Sequence, residues 1–210
     1  MPHDTASPAV RHHPFLMFLH WITLAAMLSG IVMILLREDM EVKSTRVFML
    51  DMHRAFGLLV LGLLALRLAV RLWHAKSAPD HDLPPMMSLL SKLGHYALYL
   101  MLVVVPLLGW AQSSAQSASI RLFRILPIPS LTSQDLDLAD RLADYHYYAA
   151  CTIGVLIVLH TLAALWHHYV RRDHVLRSML PRMPRADKPA PAADLTVFPS
   201  PLSTHTEHKP

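Results

Sequence analysis

The sequence predicts an all-α integral membrane protein, a bundle of four spanning helices, on three observations. Of 210 residues 53% are hydrophobic and only 16% charged, with a mean hydropathy of +0.34; that is too apolar for a soluble domain of this size. Three runs, 14–36, 93–112 and 145–170, are long and almost uncharged, and a fourth, 50–73, carries His53 and Arg54 near its start and Arg67 and Arg71 near its end. Each has about 20 residues or more, enough to cross about 30 Å of hydrocarbon at a rise of about 1.5 Å per residue.

In chain order, residues 1–13 form a polar N-terminal arm. The first run is too long for a signal-peptide core and lacks a small-x-small exit, so it is expected to stay as the first helix. The loop 37–49 is short and charged. In the second helix, Arg67 and Arg71 are expected to snorkel to the headgroups. Segment 74–92, with three prolines, is expected to be a connector rather than an element. The segment 113–143 is longer and mixed. Its part 119–131 is expected to lie along the membrane interface, apolar residues down and Arg121 and Arg124 up. The acidic run 135–144 reads as the exposed lead-in of the fourth helix. One transmembrane domain thus covers 14–182, and the Pro-rich, aperiodic tail 183–210 is expected to be disordered.

Charge sets the expected orientation. Arg11, Arg67, Arg71, Lys76, Lys92, Arg171, Arg172, Arg177, Arg182 and Arg185 gather on one side, which predicts both termini in the cytoplasm. The net charge of +4 points to membrane lipid as a partner, with no nucleic acid. Cys151 is the single cysteine. It excludes an intramolecular disulfide, a Cys-x-x-Cys-His haem attachment and an iron–sulfur cluster held by this chain alone.

Fifteen histidines then need sorting. His3, His12, His13, His74, His81, His174, His205 and His208 fall in polar arms and loops and read as solvated surface. His20, His53, His95, His146 and His160 fall within or at the edge of apolar runs, with His167 and His168 at the end of the last. Ionisable groups at membrane depth are costly and mark function by default. His146 and His160 are fourteen residues apart, so at about 100° per residue they share one helix face, about 21 Å apart along the axis; His167 is near the same face. Ala149, Ala150, Ala163 and Ala164 leave space beside the first two. By depth, His53 on the second helix is level with His146, and His20 on the first is level with His160. Gly57 clears the face of His53.

Two imidazoles at each of two levels suit a low-spin, electron-carrying haem b with no open coordination position. A lone intramembrane histidine is as readily a helix–helix hydrogen-bonding residue, but two depth-matched pairs are harder to obtain that way. Zinc is a poor match to two histidines per level without an acidic neighbour. Met27 and Met101 lie within helices and stay open as alternative ligands.

At these residues the sequence resembles the prokaryotic cytochrome b561 family. The likeness rests on 19-LHW-21, 52-MHRAFG-57, 93-LGHYALYL-100, His146, 159-LHTLAALWHHY-169 and 177-RSMLPR-182, so it covers about 14–182. It implies a four-helix inner-membrane protein with two haems b and four axial ligands. These are the pair His53 and His146 for the outer haem and the pair His20 and His160 for the inner. Some members resemble superoxide:ubiquinone oxidoreductases, and related four-helix cytochromes serve hydrogenases and formate dehydrogenases. The expected function is therefore electron transfer through two haems, oxidising superoxide outside and reducing ubiquinone. His95 and His167 are candidate contacts for quinone or a haem propionate. The alternatives are a membrane subunit serving a soluble redox partner protein, and a haem-free transporter or structural protein.

Overall fold

The computed structural model describes residues 14–73 and 85–171. The arm 1–13, the connector residues 74–84 and everything after 171, including the expected tail, lie outside the described residues. Four helices follow one another: α1 (Pro14–Arg37), α2 (Lys43–Trp73), α3 (Pro85–Ala115) and α4 (Leu136–Trp166), the last ending in a π-helical turn, His167–Arg171. All four are long and apolar enough to cross a membrane.

Three of these helices start well before their apolar runs. α2 begins seven residues earlier than expected, α3 eight and α4 nine. Helix formation needs only satisfied backbone and tolerable side chains, whereas the hydropathy limit marks the bilayer. Residues 85–92, expected to be connector, are the first turns of α3; Pro85 stands at the very start, where a missing N–H costs nothing, and Pro106 lies inside the helix. At α4 the start is fixed by Asp135, whose carboxylate accepts from the Leu138 N–H at 2.9 Å, satisfying one of the free donors at a helix start.

α1 pairs with α2, α3 with α4, and the two hairpins meet through α2 and α3. Burial is sparse and favours small residues. Leu19, Thr23, Ala26 and Gly30 form the buried stripe of α1, and α2 contributes Ala55, Val60 and Leu64. A Cβ on Gly30 would stand 3.3 Å from the Phe56 Cβ, so glycine is what allows this close approach of α1 to α2. The Thr23 hydroxyl returns to its own helix, donating to the Leu19 carbonyl at 2.6 Å. Large apolar side chains such as Leu35, Leu90, Val155 and Leu162 are exposed, as expected where the surroundings are lipid.

One end of the bundle carries both hairpin loops, here the loop end; the other carries the approach to both termini, here the terminal end. The segment 119–131 lies at the loop end. It folds into a two-strand antiparallel pair, β1 (Arg121–Leu122) and β2 (Leu126–Pro127), with Phe123 and Arg124 at positive φ in the turn. This connection is stitched onto α2 and α3. Ile120 is buried, Phe123 meets Phe56 edge-on with centroids 5.5 Å apart, and Trp110 donates to the Pro129 carbonyl at 3.0 Å. Ser114 accepts from the Leu131 N–H at 3.1 Å.

Candidate cofactor sites within the bundle

At the loop end, His53 of α2 and His146 of α4 face each other with ring centroids 6.1 Å apart and planes at 86°. Both rings are anchored from behind. Nδ1 of His53 lies 2.9 Å from the Gly30 carbonyl of α1, and Nδ1 of His146 lies 2.9 Å from the Val105 carbonyl of α3. A carbonyl only accepts, so each Nδ1 carries the proton and each Nε2 keeps its lone pair, the form in which histidine binds metal. Gly109 makes room for this: a Cβ there would stand 3.0 Å from Cε1 of His146. A cavity of about 350 Å³ opens beside the pair, bounded by Gly57 and Pro106 on one side and by Arg37 and Arg54 toward the loops. Both arginines are partly matched: Arg54 by Asp51 at 3.8 Å and by the Ser113 hydroxyl at 3.0 Å, Arg37 by Glu38 at 2.6 Å.

At the terminal end, His20 of α1, His95 of α3 and His160 of α4 converge, all within electrostatic reach of one another. The ring nearest His160 is His95, at 5.5 Å and 82°, and Nδ1 of His95 is 2.6 Å from the Ser91 carbonyl. Arg67 does not snorkel outward. It turns inward, Nη1 3.2 Å from Nδ1 of His20, its guanidinium 5.8 Å from the Tyr99 ring centre. Arg71 donates to the Tyr99 hydroxyl at 3.0 Å. The reason is local: α2 runs on to Trp73, so Arg67 sits more than a turn inside the helix, opposite His20 and the face of Tyr99. His167 caps α4, its N–H reaching the Ala163 and Ala164 carbonyls, and opens the π-helical turn.

The donor set fits a macrocycle better than a chelate. Among the described residues no three histidines, cysteines or carboxylates are placed to hold one ion. Two imidazoles suffice only when the other ligands come from the cofactor, as in a b-type haem. With a metal–nitrogen distance of about 2 Å and a ring centre about 1 Å further, two opposed imidazoles on one ion place their centres about 6 Å apart. His53 and His146 are at that spacing. Sequence reasoning missed Gly109, Arg67 and the Gly30 and Val105 carbonyls. A glycine level with His146 is a legible signal; a backbone carbonyl leaves none.

An α-helical, multi-pass membrane protein with imidazoles opposed in its interior is, as a class, a membrane cytochrome of the b type. Comparison with known proteins narrows the class: the model of the prokaryotic cytochrome b561 family matches residues 11–182, and the chain belongs to that family. It is therefore a bacterial multi-pass membrane protein of electron transfer, in a family that binds haem b. The chain is 30% identical over 164 residues, 78% of its length and 92% of the relative's, to the probable superoxide oxidase CybB of Yersinia pestis. It is also 32% identical over 170 residues to cytochrome b561 homolog 1 of Escherichia coli (strain K12), covering 79% of this chain and 94% of that one. To cytochrome b561 homolog 2 of the same organism it is 32% identical over 133 residues, 62% and 69% of the two chains.

Proposed function

We propose that the protein is a transmembrane conduit with two haems b, oxidising superoxide at its loop end and reducing ubiquinone. The observation that carries this reading is the opposed pair His53 and His146 at 6.1 Å, each with Nδ1 on a carbonyl. Within it, His53 and His146 ligate the outer haem and His20 and His160 the inner one. The loop end faces outward and both termini lie in the cytoplasm. The bound haem supplies a one-electron couple; the chain supplies ligation, orientation and a dry path.

The Gly30 and Val105 carbonyls hold the outer imidazoles in the ligating tautomer. Gly57 and Gly109 keep side-chain bulk off that level. Arg54 and Arg37, beside the cavity, attract an anion toward the outer site, less than bare cations would because Asp51 and Glu38 stand next to them. One electron leaves each superoxide as it becomes dioxygen; two such electrons with two protons convert ubiquinone to ubiquinol. His95 and His167 remain the proposed quinone contacts at the terminal end. The relative named as a probable superoxide oxidase supports the choice of donor. The haem-free reading is set aside by membership of a haem b family.

Haem content and kinetics test this together. The purified protein should bind two haems. His53→Ala and His146→Ala should each remove the same one, and His20→Ala and His160→Ala the other, read in reduced-minus-oxidised spectra. Rapid mixing with superoxide should reduce the wild-type haem; no reduction would sink the donor assignment, and a stoichiometric soluble subunit on purification would favour a partner protein instead. Unchanged quinone reduction in both His95→Ala and His167→Ala would place the quinone elsewhere.

A further inference from the structure

Two cavities meet at the loop end and share a wall. Beside the one that borders His53 and His146, a second of about 360 Å³ opens between the end of α1 and the start of α2. Arg37 and Leu50 line both. The second is otherwise walled by Glu41, Lys43, Arg46 and Val47. Lys43 and Val47 are exposed while Leu50 and Arg37 are only partly so. The second cavity therefore leads from the surface to the first.

Charge along this route favours an anion. Arg37 and Arg46 share Glu38, at 2.6 and 3.6 Å, whereas Lys43 makes no ion pair among the described residues. Three cations thus stand against Glu38 and Glu41, and a wall of net positive charge raises the local concentration of anions. Further in, Arg37 is within electrostatic reach of Arg54, which borders the histidine cavity. Nε of Arg37 is buried with no acceptor among the described residues. Because Arg37 borders both cavities, it can meet a carboxylate of the bound cofactor on one side and a small anion on the other.

The opposite approach is closed. From the α3–α4 connection, Gln116 and Ile120 reach the histidine cavity, and Ile120 is 5% exposed. The Ile120 carbonyl accepts from the Ile128 N–H at 3.0 Å, and the Ala115 carbonyl accepts from the Asp135 N–H at 3.0 Å. Phe123 is set edge-on against Phe56. Ser117, Phe123 and Arg124 all hold positive φ, a conformation that persists in such residues only where surrounding contacts over-determine it. This connection is a fixed cover, not a door.

We propose that the cavity between α1 and α2 is the entry subsite through which a small oxyanion reaches the loop-end histidines, with Lys43 and Arg46 at its mouth and Arg37 passing the ion inward. The proposal rests on the superoxide reading above and adds to it the side from which the anion enters and the residues that admit it. Binding and passage are non-covalent.

Single-cysteine variants of the haem-loaded protein, made on Cys151→Ala, test the route without reference to activity. Leu50→Cys should react with an anionic methanethiosulfonate about tenfold faster than with its cationic counterpart, and adding Lys43→Glu should erode that preference. Ile120→Cys should resist both reagents. Stopped-flow mixing with superoxide is the second arm. Val47→Trp, which fills the cavity, and Lys43→Glu should each slow haem reduction about tenfold with haem content unchanged, while Lys43→Arg keeps the charge and most of the rate. The proposal is overturned if Leu50→Cys is unreactive or shows no preference for the anion, or if Ile120→Cys is labelled faster. It is equally overturned if Val47→Trp is reduced at the wild-type rate. Failure of superoxide to reduce the wild-type haem would instead remove the donor reading, and the labelling would still decide whether this cavity admits anions.

Discussion

Gly109 and His146 show how narrow the tolerance is at a single residue. A methyl group at 109 would stand 3.0 Å from Cε1 and 3.2 Å from Nδ1 of His146, closer than side chains normally approach, so the imidazole must yield by several tenths of an ångström. That would lengthen its bond to the Val105 carbonyl and turn Nε2 away from the partner ring. Gly109→Ala should therefore cost about 1–3 kcal/mol of stability and deplete or perturb the haem proposed to lie between His53 and His146, measured by haem stoichiometry and thermal unfolding in detergent. Gly62 and Gly154 are helical glycines where an added Cβ would meet nothing within 4 Å. Alanine at either should leave haem content intact and stability equal or slightly higher. Full haem and wild-type stability in Gly109→Ala would show that His146 does not need its present position.

Among the elements, α4 carries the largest share of the site, bearing His146 and His160 on one face. Its start lies outside the apolar run and depends on the Asp135 cap. Asp135→Ala should cost about 1 kcal/mol and leave haem content at the wild-type level, because the lost turn lies well before His146; differential scanning calorimetry and the haem spectrum check the two halves of that statement. The π-helical turn at His167–Arg171 shifts the side chains that follow it relative to a continuous α-helix. The spacing rule that links His146 to His160 therefore does not extend unchanged to His168 and Tyr169. Among the described residues α3 buries only the last three of its own, Ser113, Ser114 and Ala115. It contributes Val105, Gly109, His95 and Tyr99, each through contact with a residue on another helix.

For the molecule as a whole, the expected orientation makes a prediction that no internal contact can. With both termini inside, alkaline phosphatase fused after residue 182 should be inactive and green fluorescent protein at the same place bright; the reverse pattern would place the proposed superoxide site in the cytoplasm. If Arg54 and Arg37 steer superoxide, the rate of haem reduction should fall as salt rises and fall further in Arg54→Gln, seen by stopped-flow; a salt-independent rate would deny electrostatic steering.

Composition and spacing were enough for the number of spanning helices and the two histidine levels, because hydropathy and the helical repeat can be counted along the chain. The level match of His53 with His146 follows from residue counts along antiparallel helices. Helix starts were less legible, since residues 85–92 and 136–144 are polar enough to leave the bilayer yet entirely able to stay helical. What lies behind each ring came from packing alone: carbonyls of Gly30 and Val105 at one level, a guanidinium at the other, and His95 rather than His20 as the nearest ring to His160. Backbone carbonyls are the same at every position in a sequence. Whether Arg67 points to the headgroups or into the bundle depends on which helix stands opposite, and that is set only when α1 and α3 pack around it.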